Sequence, residues 1–414
     1  MEKIQSITGI LVLALIAWII SENRRDVKWR TVATGILLQF ALALLLIKAP
    51  GAQWIFLFLN KAVSALEEAT RAGTSFVFGY LGGGAVPFEE KVPAARYVMA
   101  FQSLPLLLVI SALSSLLFYW RILPLVVKGF SFLLTRTMAL GGVEAFGTAA
   151  NIFVGMVEAP LMVKPYLSMV SRSEIFTIMT AGMATVAGTV MVIYASILKD
   201  VIPGAIAHLI VASIISAPAA ITVAKLMVPE TMPVSSGRIS VPRGAESSMD
   251  AITRGTLDGM KLLLGITAML VVLVALVHLI NLVLGLLPNL AGRPVTFQGL
   301  LGYILAPITW LMGIPWSESI TAGALMGTKT VINEFIAYLD LASIPPEALH
   351  PRSRLIMTYA LCGFANFGSL GIMIGGMGSM VPEKRGEIAT LGIKSILSGT
   401  ITTCMTGAVV GIIV

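Results

Sequence analysis

Apolar runs long enough to cross a membrane recur along the whole chain, at about 6–20, 32–47, 96–119, 174–198, 203–225, 259–287, 354–378 and 387–413. A lipid hydrocarbon core ~30 Å thick takes about 20 apolar residues per helix. The chain has 414 residues, so its length allows roughly eight to eleven crossings or part-crossings. Charged residues make up only 12% of it. A soluble domain carries about a quarter. The solvent for most of this surface is therefore lipid, and the expectation is an all-α polytopic membrane protein.

The net charge of +7 comes from 28 Lys and Arg against 21 Asp and Glu. No basic stripe is interleaved with aromatics, so nucleic acid is excluded as the partner. The basic residues sit in short loops, as the positive-inside rule requires of loops kept in the cytoplasm. Arg24, Arg25, Lys28 and Arg30 mark 21–31 as cytoplasmic, and Lys384 and Arg385 do the same before the last run. Both termini are then expected outside. The run 6–20 is followed by Ser21-Glu22-Asn23-Arg24-Arg25 with no small-residue cleavage site. It reads as a retained first helix and not as a leader. Cys362 and Cys404 lie in apolar runs and suggest neither a disulfide nor a thiolate site. His208, His278 and His350 are isolated and read as packing or interfacial residues.

Three stretches depart from clean crossings. Over 53–71, Ile55, Phe58, Leu59, Ala62, Leu66 and Ala69 repeat at helical spacing opposite Asn60, Lys61, Glu67, Glu68 and Arg71. That is a helix lying in the interface. Residues 138–170 and 298–342 are apolar but broken by small, polar and acidic residues. Two crossings are also interrupted, at Thr185-Val186-Ala187-Gly188-Thr189 and at Gly363-Phe364-Ala365-Asn366-Phe367-Gly368-Ser369. A hydrophilic stretch, 228–254, separates the two halves. Paired interruptions in corresponding positions point to a transporter site near the bilayer midplane. Unwound backbone cannot face lipid, because its amides would lack partners. A carboxylate at membrane depth costs roughly 2.5–3.5 kcal/mol on insertion scales. Glu158 and Glu334 are such carboxylates, and contact with a solute is one reading. The other is that Lys329, five residues earlier in sequence, neutralises Glu334. Glu144 and Glu318, nearer the starts of the broken segments, suit helix capping.

Asn151-Ile152-Phe153-Val154-Gly155-x-x-Glu158-Ala159-Pro160 resembles the first hairpin of the concentrative nucleoside transporters. Gly327-x-Lys329-x-x-x-Asn333-Glu334-Phe335-x-Ala337-Tyr338 is similar to their second hairpin, and Gly363-Phe364-Ala365-Asn366-Phe367-x-Ser369 to their penultimate, unwound helix. Leu226-Met227-x-Pro229-Glu230-Thr231 and Thr74-Ser75-Phe76-x-Phe78-Gly79 also fit. The likeness runs nearly end to end. It implies eight transmembrane helices plus two re-entrant helical hairpins, an inverted-repeat elevator-type carrier assembled as a homotrimer in a bacterial inner membrane, and no enzyme. On it the chain divides into N-terminal scaffold helices with the interfacial helix (1–137), the first half of a transport domain (138–227), a cytoplasmic linker (228–256), a scaffold helix (257–297) and the second half of the transport domain (298–414).

The resemblance also implies roles. Glu158 faces a nucleobase and Val190 packs on it. Glu334, Asn366 and Ser369 take the ribose hydroxyls, and Phe364 borders the sugar. A Na⁺ site would use the side chains of Asn151 and Thr185 and the carbonyls of Val154 and Val186, which favours Na⁺ over H⁺ as the coupling ion; no other cofactor is implied. There is one departure. Met156 and Val157 stand where the family commonly has Gln followed by Thr or Ser, so two hydrogen bonds to the base are missing and base preference should be altered. A carrier for another polar metabolite on the same scaffold is the rival reading. A passive channel suits two acid-bearing hairpins less well. The Ser–His, paired-aspartate and Asp-rich patterns of membrane enzymes are missing from the sequence.

Overall fold

The computed structural model describes residues 2–48, 52–89, 97–235, 245–289 and 294–414. Those residues form α-helices joined by turns, with no strand among them. Helices α1 (Glu2–Ile19) and α2 (Trp29–Lys48) are the first crossings. Helix α3 (Ala52–Phe78) is amphipathic and runs beyond the expected 53–71. Helices α4 (Met99–Gln102) and α5 (Leu106–Tyr119) make a third crossing, stepped at Ser103–Pro105.

Helix α6 (Ile122–Met138) has no counterpart in the sequence reading. It buries Val127, Leu134 and Met138 and exposes Leu125 and Phe132. Lys128 and Arg136 break its apolar run, so hydropathy alone hides it. Helices α7 (Gly142–Asn151) and α8 (Glu158–Met162) form the first hairpin. Helices α9 (Arg172–Ala184) and α10 (Gly188–Leu198) are one crossing, unwound at 185–187, and α11 (Ala205–Met227) is the next.

The second half repeats this order. Helix α12 (Ser248–Leu284) is a crossing, α13 (Phe297–Leu311) a separate helix, α14 (Trp316–Val331) and α15 (Glu334–Ser343) a hairpin. Helices α16 (Pro351–Leu361) and α17 (Phe367–Met380) are a crossing unwound at 362–366, and α18 (Arg385–Ile413) closes the chain. Each repeat, α5–α11 and α12–α18, holds three crossings. An odd number turns the second repeat upside down relative to the first. With α1 and α2 there are eight crossings among the described residues. Seven are apolar enough to be recognised by composition; the eighth is α16–α17, whose first half carries Arg352, Ser353 and Arg354.

Three boundaries move. The broken segment 298–342 is not one hairpin: α13 meets α14 at a 116° bend, and the hairpin proper is α14–α15. The expected linker 228–256 overlaps α12, which starts at Ser248; its cap is Ser247, whose Oγ accepts the Asp250 N–H at 3.1 Å. Residues 236–244 of that linker lie outside the described residues. Finally, α1 and α2 pack on α18 and α11, whereas α12 packs on α5. Within 1–137, α5 is thus the helix that packs on the long helix, while α1 and α2 lie mainly against α18 and α11.

The contact of α12 with α5 is close for a local reason. Gly255 and Gly259 stand one turn apart, the small-x-x-x-small spacing that lets membrane helices approach. A Cβ on Gly255 would meet the Ser111 carbonyl oxygen at 2.6 Å, and one on Gly259 the Leu107 carbonyl oxygen at 3.0 Å. Further along, α12 exposes Val271, Val274 and Leu282, which in lipid needs no cover.

One end of the molecule gathers the loops rich in charge. Glu22 pairs with Arg172 at 2.9 Å, and Lys394 also binds its carboxylate. The Glu22 N–H donates to Met227 O at 2.9 Å, and Trp120 Nε1 donates to Ser248 Oγ at 3.2 Å. The opposite end brings Glu2 to Arg352 at 3.1 Å, with Gly313 and Gly411 beside them. The hairpins enter from these two ends: Gly142 N donates to Ser235 O next to α11's end, while α14 starts beside Gly313.

Candidate solute site between the two hairpins

Helix N-termini decide what this centre can hold. Helix α10 begins at Gly188, α15 at Glu334 and α17 at Phe367, and all three open on one cavity of about 360 Å³; the short α8, beginning at Glu158, opens on it too. A helix N-terminus presents free N–H groups and a partial positive charge. Glu158 and Glu334 are each the first residue of their arm, so the fold offsets part of the cost of placing carboxylates at membrane depth. Asn333 caps α15, its Oδ1 accepting the Ile336 N–H at 2.9 Å. Asn366 caps α17, its Oδ1 accepting the Ser369 N–H at 2.7 Å.

All eight candidate solute residues, Met156, Val157, Glu158, Val190, Glu334, Phe364, Asn366 and Ser369, line this cavity. Glu334 is held from two sides: Tyr194 Oη donates to Oε1 at 2.7 Å and Asn366 Nδ2 donates to Oε2 at 2.9 Å. Lys329 is not its partner. The Lys329 Nζ donates to Ala360 O and to Thr403 Oγ1, both at 2.8 Å. No hydrogen bond or ion pair joins Lys329 to Glu334, so the lysine's charge acts on it only across space, and Glu334 lines the cavity. Glu158 is freer. Its carboxylate folds back over Gly155, so a Cβ there, 2.2 Å from Oε2, would push the carboxylate aside.

The sequence reading missed the wall supplied by α12. Leu262, Ile266 and Met269 lie on one face of that helix and line the cavity, with Lys261 at its edge. It also missed Tyr194, four residues after Val190 and hence on the same face of α10; that spacing was the available signal. Tyr194 is locked edge-on to Phe335 and against Tyr338. A second space of about 290 Å³ adjoins through Gly155, Glu158, Ala187 and Thr189 and is lined by Ser111, Ser114, Ser115 and Asp258. Asp258 lies towards the end of the molecule that gathers the basic loops.

The candidate cation residues meet behind the first hairpin's tip. Asn151 is buried; its Nδ2 donates to Gly147 O at 3.1 Å and Ile178 O at 3.4 Å, while its Oδ1 has no hydrogen-bond partner. Thr185 terminates α9 and donates to Ala181 O at 2.8 Å, and Val186 is the next unwound residue. The tip bearing Val154 is tied to the break, because Gly188 N donates to Phe153 O at 3.0 Å. Neutral hard oxygens with one orphaned acceptor fit a monovalent cation such as Na⁺. The set offers no carboxylate for a divalent ion.

Glu144 has another role than the capping expected for it. It lies in α7's first turn, but its carboxylate pairs with Lys225 at 2.7 Å, and Lys225 also holds Glu230 at 3.2 Å. Glu318 does stay at a helix start, where it accepts the His350 N–H at 3.2 Å.

Two inverted repeats, each with a hairpin and a broken helix facing one largely apolar cavity that carries two carboxylates, define a membrane carrier. The models for the N-terminus and the C-terminus of the Na⁺ dependent nucleoside transporters match residues 8–81 and 208–411, and a nucleoside recognition model matches 100–201. The nucleoside permease NupC of Helicobacter pylori is 36% identical over 99% of this chain and 97% of its own. Solute carrier family 28 member 3 of Mus musculus is 33% identical over all of this chain and 59% of its own length. CNTnw in an inward-facing substrate-bound state superposes with a TM-score of 0.89 at 34% identity, covering 100% of this chain and 98% of that one. A substituted CNTnw in an outward-facing state gives 0.88 at 33%, covering 100% and 98%. The chain belongs to the concentrative nucleoside transporter family, and it is a multi-pass membrane protein.

Proposed function

We propose that this protein imports nucleosides across the bacterial cytoplasmic membrane by cation symport, with Na⁺ as the coupling ion. The observation that carries the solute is the pairing of Glu334 with Asn366 and Tyr194 on the rim of a cavity that Glu158 shares. A ribose diol offers two O–H donors, and a carboxylate accepts them with charge-assisted bonds. Asn366 and Ser369 supply further polar groups beside it. Phe364 and Val190 give the apolar faces that a sugar edge and a base need. A deoxy analogue would leave Glu334 underbonded and be rejected.

The proposed cation site uses Asn151, Val154, Thr185 and Val186. Na⁺ is favoured over H⁺ because the orphaned Asn151 Oδ1 wants a cation and nothing in the set takes up a proton. One Na⁺ moving through ~100 mV releases about 2.3 kcal/mol. A tenfold gradient adds roughly 1.4 kcal/mol, so accumulation of several hundred-fold is the ceiling. The positive-inside rule puts the end bearing Arg24, Arg25, Arg172 and Lys384 in the cytoplasm and both termini outside. Assembly as a homotrimer belongs to the same reading and rests on the likeness to the family.

Met156 and Val157 present apolar surface where a base would sit. Methionine adapts to rings of different shape, so the reading includes tolerance of several bases. The decisive experiment is uptake of labelled uridine into proteoliposomes with and without a Na⁺ gradient, with competition by the common nucleosides. Uptake indifferent to the gradient would remove Na⁺; absence of any nucleoside uptake would leave the rival, a carrier for another polar metabolite.

A further inference from the structure

Lys329 is fully buried in the last turn of α14 and forms no ion pair with a described carboxylate. Its two acceptors are neutral oxygens, a carbonyl and a hydroxyl. A buried charge is costly unless it is well hydrogen-bonded or paired, and α16 offers the compensation. That helix ends at Leu361 in mid-membrane, at the break 362–366, and Ala360 is in its last turn. The C-terminal end of a helix carries a partial negative charge of about half an electron and carbonyls without partners. Lys329 caps that end.

The first repeat contains the same arrangement without the lysine. Helix α9 also ends in mid-membrane, at Ala184 before the break 185–187. The residue that approaches it from the last turn of the hairpin's first arm is Asn151: its Nδ2 bonds Ile178 O, six residues before the helix end, and its unpartnered Oδ1 would lie 3.4 Å from a Cβ on Gly182 in the last turn. Asn151 is the last residue of α7 and Lys329 the third from last of α14, and the two tips differ in length (152–157 against 332–333), so the correspondence holds at the level of one helical turn. The two breaks abut. A Cβ on Gly363 would lie 2.8 Å from Met183 O and 3.1 Å from the Ala184 carbonyl carbon. Two negative helix ends therefore meet at the centre of the molecule, one served by an ammonium on a tether and one by an open set of oxygens.

We propose that Lys329 is a built-in cation: its ammonium fills, in the second repeat, the oxygen cage that corresponds to the open cation site of the first. The fold then takes up one exchangeable monovalent cation and not two. The count of one rests on the Na⁺ reading above; the tethered ammonium does not, and the two are separated by the test.

Lys329→Ala and Lys329→Gln are purified, and thermal stability in detergent is followed against Na⁺, K⁺ and ammonium, with choline holding ionic strength constant. The expected result is a fall in Tm of several degrees in choline for both variants, recovered with saturation by at least one small cation and not by choline. Gln keeps a hydrogen-bond donor without the charge, so a merely structural donor would be replaced by it. A Gln variant as stable as wild type in choline would therefore overturn the proposal. So would a loss that no small cation recovers. Should both neutral variants fail to fold in every cation while Lys329→Arg folds, the cage does not accept a free ion and the proposal is equally overturned. The Na⁺ arm is read separately in proteoliposomes. Wild-type uptake that ignores Na⁺ sinks the coupling ion and leaves the cage standing. Where Na⁺ drives wild-type uptake and is the cation that recovers the variants, the Hill slope for Na⁺ rises in Lys329→Gln from about one towards about two; an unchanged slope there removes the count of one.

Discussion

Glu334 accepts two hydrogen bonds from its own protein before any solute arrives, and these set the direction of its remaining lone pairs. In Glu334→Gln the NH₂ group cannot accept, so either Tyr194 or Asn366 loses its bond and the charge is gone. Hydrogen bonds to a charged group are worth about 1.5–3 kcal/mol. Nucleoside affinity should fall about 10- to 150-fold, read as labelled uridine binding, with an unchanged elution profile in size exclusion. Normal affinity in this variant would remove Glu334 from the solute. Asn151→Ala deletes the orphaned oxygen and two weak donor bonds. The Na⁺ concentration for half-maximal uptake should rise about tenfold, equivalent to about 1.4 kcal/mol, while expression holds; an unshifted Na⁺ curve would move the cation elsewhere. The residues behind these predictions were legible in sequence because each lies in a hairpin or a break, where polarity inside an apolar run is a local signal. Their partners were not. Tyr194 meets Glu334 across 140 positions and Lys329 meets Thr403 across 74. No local pattern carries that information, and so the hydrogen-bond partners of Lys329 and the Lys225 partner of Glu144 came only from three dimensions.

At the scale of elements, the same split appears between apolar runs and amphipathic ones. The crossings were readable because lipid demands them. Helix α6 was not, since its basic residues interrupt the run that hydropathy seeks, and α13 was merged with the hairpin it adjoins. The short turn between α1 and α2 shows how elements distant in sequence are pinned. Glu22 binds Arg172 at the start of α9 and Lys394 on α18, and Glu387 approaches Arg172 at 3.7 Å. The Arg172 guanidinium first, and Lys394 with it, holds the Glu22 carboxyl down at about 2, against a desolvation effect that opposes them. A carboxyl whose value is lowered on folding stabilises the fold above its ordinary value of 4.5, and that contribution is lost as pH falls from there to about 2. The group is largely exposed, and solvent screens it, so the effect is modest. The Tm in detergent should decline across this acid window, and Glu22→Gln should flatten part of the decline while leaving stability at pH 7 slightly lower. An identical acid profile in the variant would show that the cluster contributes nothing to holding α1–α2 on α9 and α18.

For the whole molecule, the packing divides the helices unequally. Helices α5 and α12 grip each other at Gly255 and Gly259, while α1, α2, α11 and α18 pack together around the hairpins and broken helices. The cavity lies on the seam, with Leu262, Ile266 and Met269 of α12 as its wall opposite Glu334 and Asn366. Relatives of this fold exist in inward- and outward-facing states, and a rigid group sliding past α5 and α12 would exchange them while the solute stays on the hairpins. The seam offers a direct test. The Met269 Cε would lie 3.8 Å from a Cβ on Gly368. Cysteines at 269 and 368 are thus within reach of a short bis-methanethiosulfonate linker, though a full methionine length apart and too far for a direct disulfide. The native Cys362 and Cys404 are buried and give little background. Linking Met269→Cys to Gly368→Cys should stop uptake almost completely, leave uridine binding in detergent within a few-fold of the unlinked protein, and be reversed by reductant. Either single variant treated with the reagent controls for simple blockage of the cavity. A linked protein that transports at the unlinked rate would mean that α12 travels with the hairpins, and the seam would then have to be sought elsewhere in the molecule.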